Sequence, residues 1–85
     1  MTRRVIDRRR ITVYGTQWCA DCRRAKKLLD EQGVSYSWVD VDQDSFGMRY
    51  IEKINGGKSI VPTIVFGDGS ILVEPSNSEL LQKLE

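Results

Sequence analysis

The sequence predicts an α/β domain of order β-α-β-α-β-β-α, with helices flanking a four-stranded mixed sheet. Three observations carry this. A strand pattern at residues 10–14 runs directly into a helical pattern that opens on two cysteines. Asp68-Gly69 lies between two strand patterns at hairpin spacing. The last segment pairs Ser76 with Glu79 in capping-box spacing and continues into Leu80, Leu81 and Leu84. A helix joining the first two strands argues for a parallel pair, and the closing hairpin adds antiparallel strands.

Taken in order, Arg10-Ile11-Thr12-Val13-Tyr14 is β-branched and aromatic and stops at Gly15. The first helix follows the cysteines to Gln32, with Gly33 as its C-terminal stop. At about 100° per residue, Cys22, Ala25, Leu28 and Leu29 share one face, and Arg23, Lys26, Lys27, Asp30 and Glu31 the other. Residues 35–41 form the second strand, with Trp38 as a core aromatic. Phe46, Tyr50 and Ile54, spaced by four, mark a second helix ending at Asn55-Gly56-Gly57. Residues 63–66 and 71–74 form the hairpin, and the capped helix closes the chain.

Eighty-five residues make one domain with a modest core. The net charge of +1 gives no global electrostatic case for nucleic acid or membrane. Five of the thirteen basic residues lie in Arg3-Arg4-Val5-Ile6-Asp7-Arg8-Arg9-Arg10. Residues 1–9 therefore read as a flexible basic arm, either a solvated tail or a contact for an acidic partner, and residues 10–85 as the folded domain. No apolar stretch approaches the ~20 residues of a membrane span, and the N-terminus lacks the apolar centre of a signal peptide. The expectation is a cytoplasmic monomer, and there a lone C-x-x-C is read as redox-active.

Cys19-Ala20-Asp21-Cys22 holds the only cysteines. The thiolate, not the thiol, attacks, and a free cysteine with a pKa of ~8.5 is mostly protonated at neutral pH. Cys19 stands at a helix start, where unpaired N–H groups and the macrodipole favour an anion. Helical phase turns Cys19 outward and Cys22 against the core. Cys19 is thus expected to attack a disulfide and Cys22 to resolve the mixed disulfide. Arg23 and Arg24 oppose the macrodipole in the first turn, which reads either as thiolate stabilisation or as a solvated basic face balanced by Asp30 and Glu31. Asp21 pushes a thiol pKa up unless Arg24 or the helix terminus neutralises it. Trp18 either shields the sulfur pair or is a core aromatic.

Other uses of the pair are weaker. Four-coordinate zinc needs two further ligands, and the chain has no other cysteine and no histidine. No metal is therefore expected within one chain, although a two-chain zinc site or iron–sulfur cluster stays open as an alternative. A structural disulfide would close too short a loop to constrain the unfolded chain much.

Trp18-Cys19-x-x-Cys22 opening a helix, with Val61-Pro62-Thr63 before a hairpin, resembles the glutaredoxins of thioredoxin-like fold over residues 10–85. Thr16-x-Trp18-Cys19, Asn55-Gly56-Gly57, Asp68-Gly69-Ser70 and Pro75-Ser76 are most similar to the actinobacterial branch that includes mycoredoxins. The resemblance implies a dithiol–disulfide oxidoreductase with no prosthetic cofactor, a thiol such as glutathione or mycothiol as co-substrate, and disulfide-containing proteins or mixed disulfides as partners. It also implies a cis Val61-Pro62 bond beside the nucleophile; a strand-entry proline is the plainer alternative. Thr16, Trp18, Val61, Pro62, Ser76 and Asn77 would meet the substrate thiol, Val61 through its backbone and Ser76 and Asn77 through helix N–H groups holding a carboxylate. Ala20-Asp21 replaces the Pro-Tyr or Gly-Tyr of relatives, which keeps a redoxin serving thioredoxin reductase and ribonucleotide reductase as an alternative.

Overall fold

The computed structural model describes residues 10–85; the basic arm expected at residues 1–9 lies outside them. The elements are β1 (Ile11–Gly15), α1 (Ala20–Glu31), β2 (Ser37–Asp40), α2 (Ser45–Ile54), β3 (Thr63–Phe66), β4 (Ile71–Val73) and α3 (Asn77–Leu84). They follow the predicted order and build one sheet, β2-β1-β3-β4. β1 runs parallel to β2 and antiparallel to β3, and β4 completes the hairpin. This is the thioredoxin-like fold.

β1 alternates strictly, with Ile11, Val13 and Gly15 buried. Ile11 and Val13 meet Ala25, Leu28 and Leu29 of α1, Ile64 and Phe66 of β3, and Leu80 of α3 in one core. The predicted α1 face is the buried face, Cys22, Ala25, Leu28 and Leu29. Gly33 ends the helix at φ +69°, where a residue without a Cβ is favoured. Its N–H reaches Asp30 O at 3.0 Å and that of Val34 reaches Leu29 O at 3.0 Å, the paired bonds of a Schellman ending.

α2 departs from the expected stripe. Its buried residues are Gly47 and Ile51, one position along, and Phe46 is 79% exposed. The reason is close approach: a Cβ on Gly47 would lie 2.8 Å from Val39 Cγ1, so the helix rests its glycine on the sheet. Tyr50 instead stacks on Tyr14 with centroids 5.2 Å apart. Trp38 is half-buried against the core, with Lys26 Nζ 3.7 Å above its ring.

Asp68 orders the hairpin loop. Its Oδ1 accepts from Ser70 N at 2.9 Å and Ser70 Oγ at 2.5 Å, and its Oδ2 accepts from Lys83 Nζ of α3 at 3.1 Å. The Ser70 hydrogen bonds, then Lys83, hold the Asp68 carboxyl well below the usual carboxylate range. A carboxyl with a depressed folded pKa stabilises the fold above its unfolded pKa of about 4, and that contribution is lost as pH falls below it. Melting temperatures measured from pH 6 to pH 2 should therefore fall less steeply for Asp68→Asn than for the wild type.

Candidate active site

The site is built where β1 ends and α1 begins. Cys19 is the N-cap of α1, with extended backbone (φ −84°, ψ 116°), and its Sγ accepts from the N–H of Cys22 at 3.2 Å. Serine, threonine, asparagine or aspartate is preferred there; here a sulfur occupies the cap. An anionic sulfur accepts such a bond more strongly than a neutral thiol does. Cys19 is half-buried, Cys22 is 0% exposed, and both are free thiols.

Burial pushes the Cys22 thiol up to about 12, helped by the hydrogen bond and charge of Cys19 and opposed by the Thr16 backbone and Lys26. Cys22 is therefore a thiol at neutral pH. The expected asymmetry of the pair has a structural cause: one sulfur caps the helix at the surface, and the other lies in the core one turn away. Gly15 makes room for it. A Cβ at Gly15 would stand 2.5 Å from Cys22 Sγ and 2.8 Å from the Trp38 ring.

The flanking residues are distributed differently from expectation. Trp18 is no core aromatic: it is 70% exposed, because it lies in the turn beyond the buried alternation of β1. Its indole Nε1 donates to Asp42 Oδ2 at 2.8 Å, and Asp42 N in turn donates to Asp40 Oδ1 at 3.0 Å. Thr16, expected to meet substrate, is 3% exposed and its hydroxyl finds no partner among the described residues; its carbonyl accepts from Cys19 N at 3.4 Å. The two arginines bind neighbouring loops. Arg23 donates to Gln17 O at 2.8 Å. Arg24 donates to Asn77 Oδ1 at 2.7 Å, Pro75 O at 3.3 Å and Asp21 Oδ1 at 3.3 Å. Asp21 is thus paired, as the sequence required if its charge was not to act on the thiols unopposed.

The Val61-Pro62 bond is cis, and Pro62 is buried while Val61 stays half-exposed. The segment leading to it is tied down from both sides. Thr63 Oγ1 donates to Ile60 O at 2.7 Å and accepts from Asn55 Nδ2 at 3.2 Å, and the same Asn55 amide donates to Ile51 O at 2.9 Å. Removing a buried hydroxyl that satisfies both neighbours costs about 1–3 kcal/mol. Thr63→Val should lower unfolding free energy by that order in a urea titration, and Thr63→Ser by less. At the other rim, Ser76 caps α3 through its hydroxyl, which accepts from Glu79 N at 3.1 Å, and Glu79 Oε1 accepts from Ser76 N at 2.8 Å. Ser76 and Asn77 are exposed. Sequence reasoning missed Gly15, Asp42 and the Asn55–Thr63 link. Only Gly15, standing between strand and motif, left a local signal.

A thioredoxin-like sheet with a helix capped by one cysteine and a second buried three residues on defines a thiol–disulfide oxidoreductase. The glutaredoxin family model matches residues 11–71. Mycoredoxin 1 of Corynebacterium glutamicum is 39% identical over 75 residues, 88% of this chain and 92% of that protein. The crystal structure of Methanosarcina acetivorans methanoredoxin superposes with a TM-score of 0.76 at 28% identity, covering 93% of this chain and 87% of that one. That of a buckwheat glutaredoxin–glutathione complex superposes with a TM-score of 0.64 at 25% identity, covering 87% and 66%. The chain belongs to the glutaredoxin family, and it is a thiol–disulfide oxidoreductase.

Proposed function

We propose a dithiol cycle in which Cys19 attacks and Cys22 resolves. The Cys19 thiolate attacks one sulfur of a substrate disulfide, forming a mixed disulfide and expelling the other sulfur as thiolate. Once Cys19 is bonded, its charge and its hydrogen bond no longer add to the burial that holds the proton on Cys22. Cys22 then loses that proton to solvent and attacks Cys19 Sγ. The second substrate thiolate leaves, and the Cys19–Cys22 disulfide carries the two electrons' worth of oxidation. Two equivalents of a low-molecular-weight thiol restore the dithiol and emerge as their own disulfide. The observation that supports this most is the N-cap sulfur of Cys19 facing the N–H of a buried Cys22.

In this reading the substrate thiol lies between the Val61 backbone and the start of α3, with the Trp18 indole as a neighbouring wall. Ser76 and Asn77 receive a carboxylate at the helix N-terminus. The reductant is a thiol such as glutathione or mycothiol, and glutathione is the ligand in the buckwheat complex. The acting unit is residues 10–85. The setting is the cytoplasm, whose thiol pool keeps such pairs reduced; no helix among the described residues is long and apolar enough to cross a membrane. The deciding experiment incubates reduced Cys22→Ser protein with cell-extract thiols first oxidised to their disulfides with diamide, then freed of the oxidant, and weighs the product. One covalent thiol adduct on Cys19, reversed by dithiothreitol, is the expected result. An unmodified mass, or an equal adduct on Cys19→Ser protein, would refute the scheme.

A further inference from the structure

Asp21 places a carboxylate between the two cysteines in sequence, in the first turn of the helix that Cys19 caps. Its side chain is 56% exposed and that of its partner Arg24 is 35% exposed. Such a pair adds little to stability, because solvent screens it. Arg24 nevertheless makes further bonds across 51 and 53 residues of sequence, to Pro75 O and to the Asn77 side chain at the first turn of α3. One guanidinium thus touches the negative charge inside the motif and the helix start that faces it. Both Arg24 partners on α3's side are neutral, so among the described residues Asp21 is the one charge this guanidinium is bonded to.

We propose that Arg24 sets the charge preference of the substrate site: by neutralising Asp21 it admits disulfides that carry carboxylates. This rests on the reading that small thiol disulfides bind beside Cys19 and the α3 N-terminus. Without the guanidinium, Asp21 stands as an unmatched anion two residues along the chain from the reacting cysteine. An unmatched unit charge beside a partly wet site changes the rate constant for a singly charged substrate about three- to tenfold. The effect is Coulombic and must fade with salt, since the Debye length falls from ~30 Å at 0.01 M to ~3 Å at 1 M.

The test compares kcat/KM for glutathione disulfide (anionic), bis(2-hydroxyethyl) disulfide (neutral) and cystamine (cationic). It uses wild type, Arg24→Gln, Asp21→Asn and the double variant. In Arg24→Gln the anionic-to-neutral ratio should fall about three- to tenfold and the cationic-to-neutral ratio should rise. Adding Asp21→Asn should bring both ratios back to within about twofold of wild type, and 1 M salt should shrink the Arg24→Gln deficit. Arg24→Lys should retain the anionic preference. If all three substrates slow together and the ratios hold, Arg24 is only a strut and the proposal is wrong. If wild type turns over none of the three, the small-thiol reading fails and this proposal falls with it. Should Arg24→Gln not fold, exposed Asp21→Lys carries the test: it must raise the anionic-to-neutral ratio, and an unchanged ratio overturns the proposal.

Discussion

Cys19→Ser is expected to lose at least ~10³-fold in disulfide exchange, while Cys22→Ser keeps the first step and stalls after it. The difference follows from where the two sulfurs sit. Cys19 is the half-buried cap of α1 and Cys22 is fully buried. Buried as it is, Cys22 offers no surface to a substrate disulfide and cannot take over as nucleophile when Cys19 is gone. Single-turnover assays on a protein disulfide should show no reaction for the first variant and a trapped covalent complex for the second. Iodoacetamide labelling offers an independent check: at pH 8 only Cys19 should be alkylated. The same burial carries a stability statement. Because the folded pKa of Cys22 is raised, its contribution is complete below about pH 8.5 and is lost as pH rises toward 12. The reduced enzyme should lose stability at alkaline pH more steeply than a Cys22→Ala variant.

Gly15→Ala should lower stability by about 1–3 kcal/mol, the usual cost of forcing a methyl group into a packed site. For a domain of this size that corresponds to a melting temperature roughly 5–20 °C lower. The new methyl would press on Cys22 Sγ and the Trp38 ring, which both come closer than van der Waals contact to the place it would occupy. Because the displaced atom is the resolving sulfur, reactions needing Cys22 should suffer more than those needing Cys19 alone. Reduction of a protein disulfide should therefore fall relative to reduction of a small mixed disulfide. Equal losses in both would show that Gly15 serves packing only.

Features set within a few residues were legible in the sequence. The α1 face of Cys22, Ala25, Leu28 and Leu29, the Gly33 stop and the Ser76–Glu79 capping box each depend on neighbours along one helix, so periodicity and spacing reveal them. The stripe on α2 was displaced because Gly47 packs by having no side chain, and a hydrophobic pattern cannot register an absence. Trp18 was harder still. Its indole hydrogen bond goes to Asp42, 24 residues away, in a loop with no local signature. Arg24 reads as a cation near a thiolate until the fold brings Pro75 and Asn77 beside it. Pairings across the fold leave no mark on local spacing, and most of the site rim is made of them.

The sulfur cap of α1 puts fold and chemistry in competition for one backbone N–H. Serine at such a position typically stabilises a helix by about 1 kcal/mol over a poor cap, and sulfur is a weaker acceptor. The inactive Cys19→Ser protein should therefore melt no lower than the wild type. Selection for robustness at position 19 would move away from activity, so the cysteine there marks a standing compromise: the enzyme keeps a second-rate cap because only that cap can attack a disulfide.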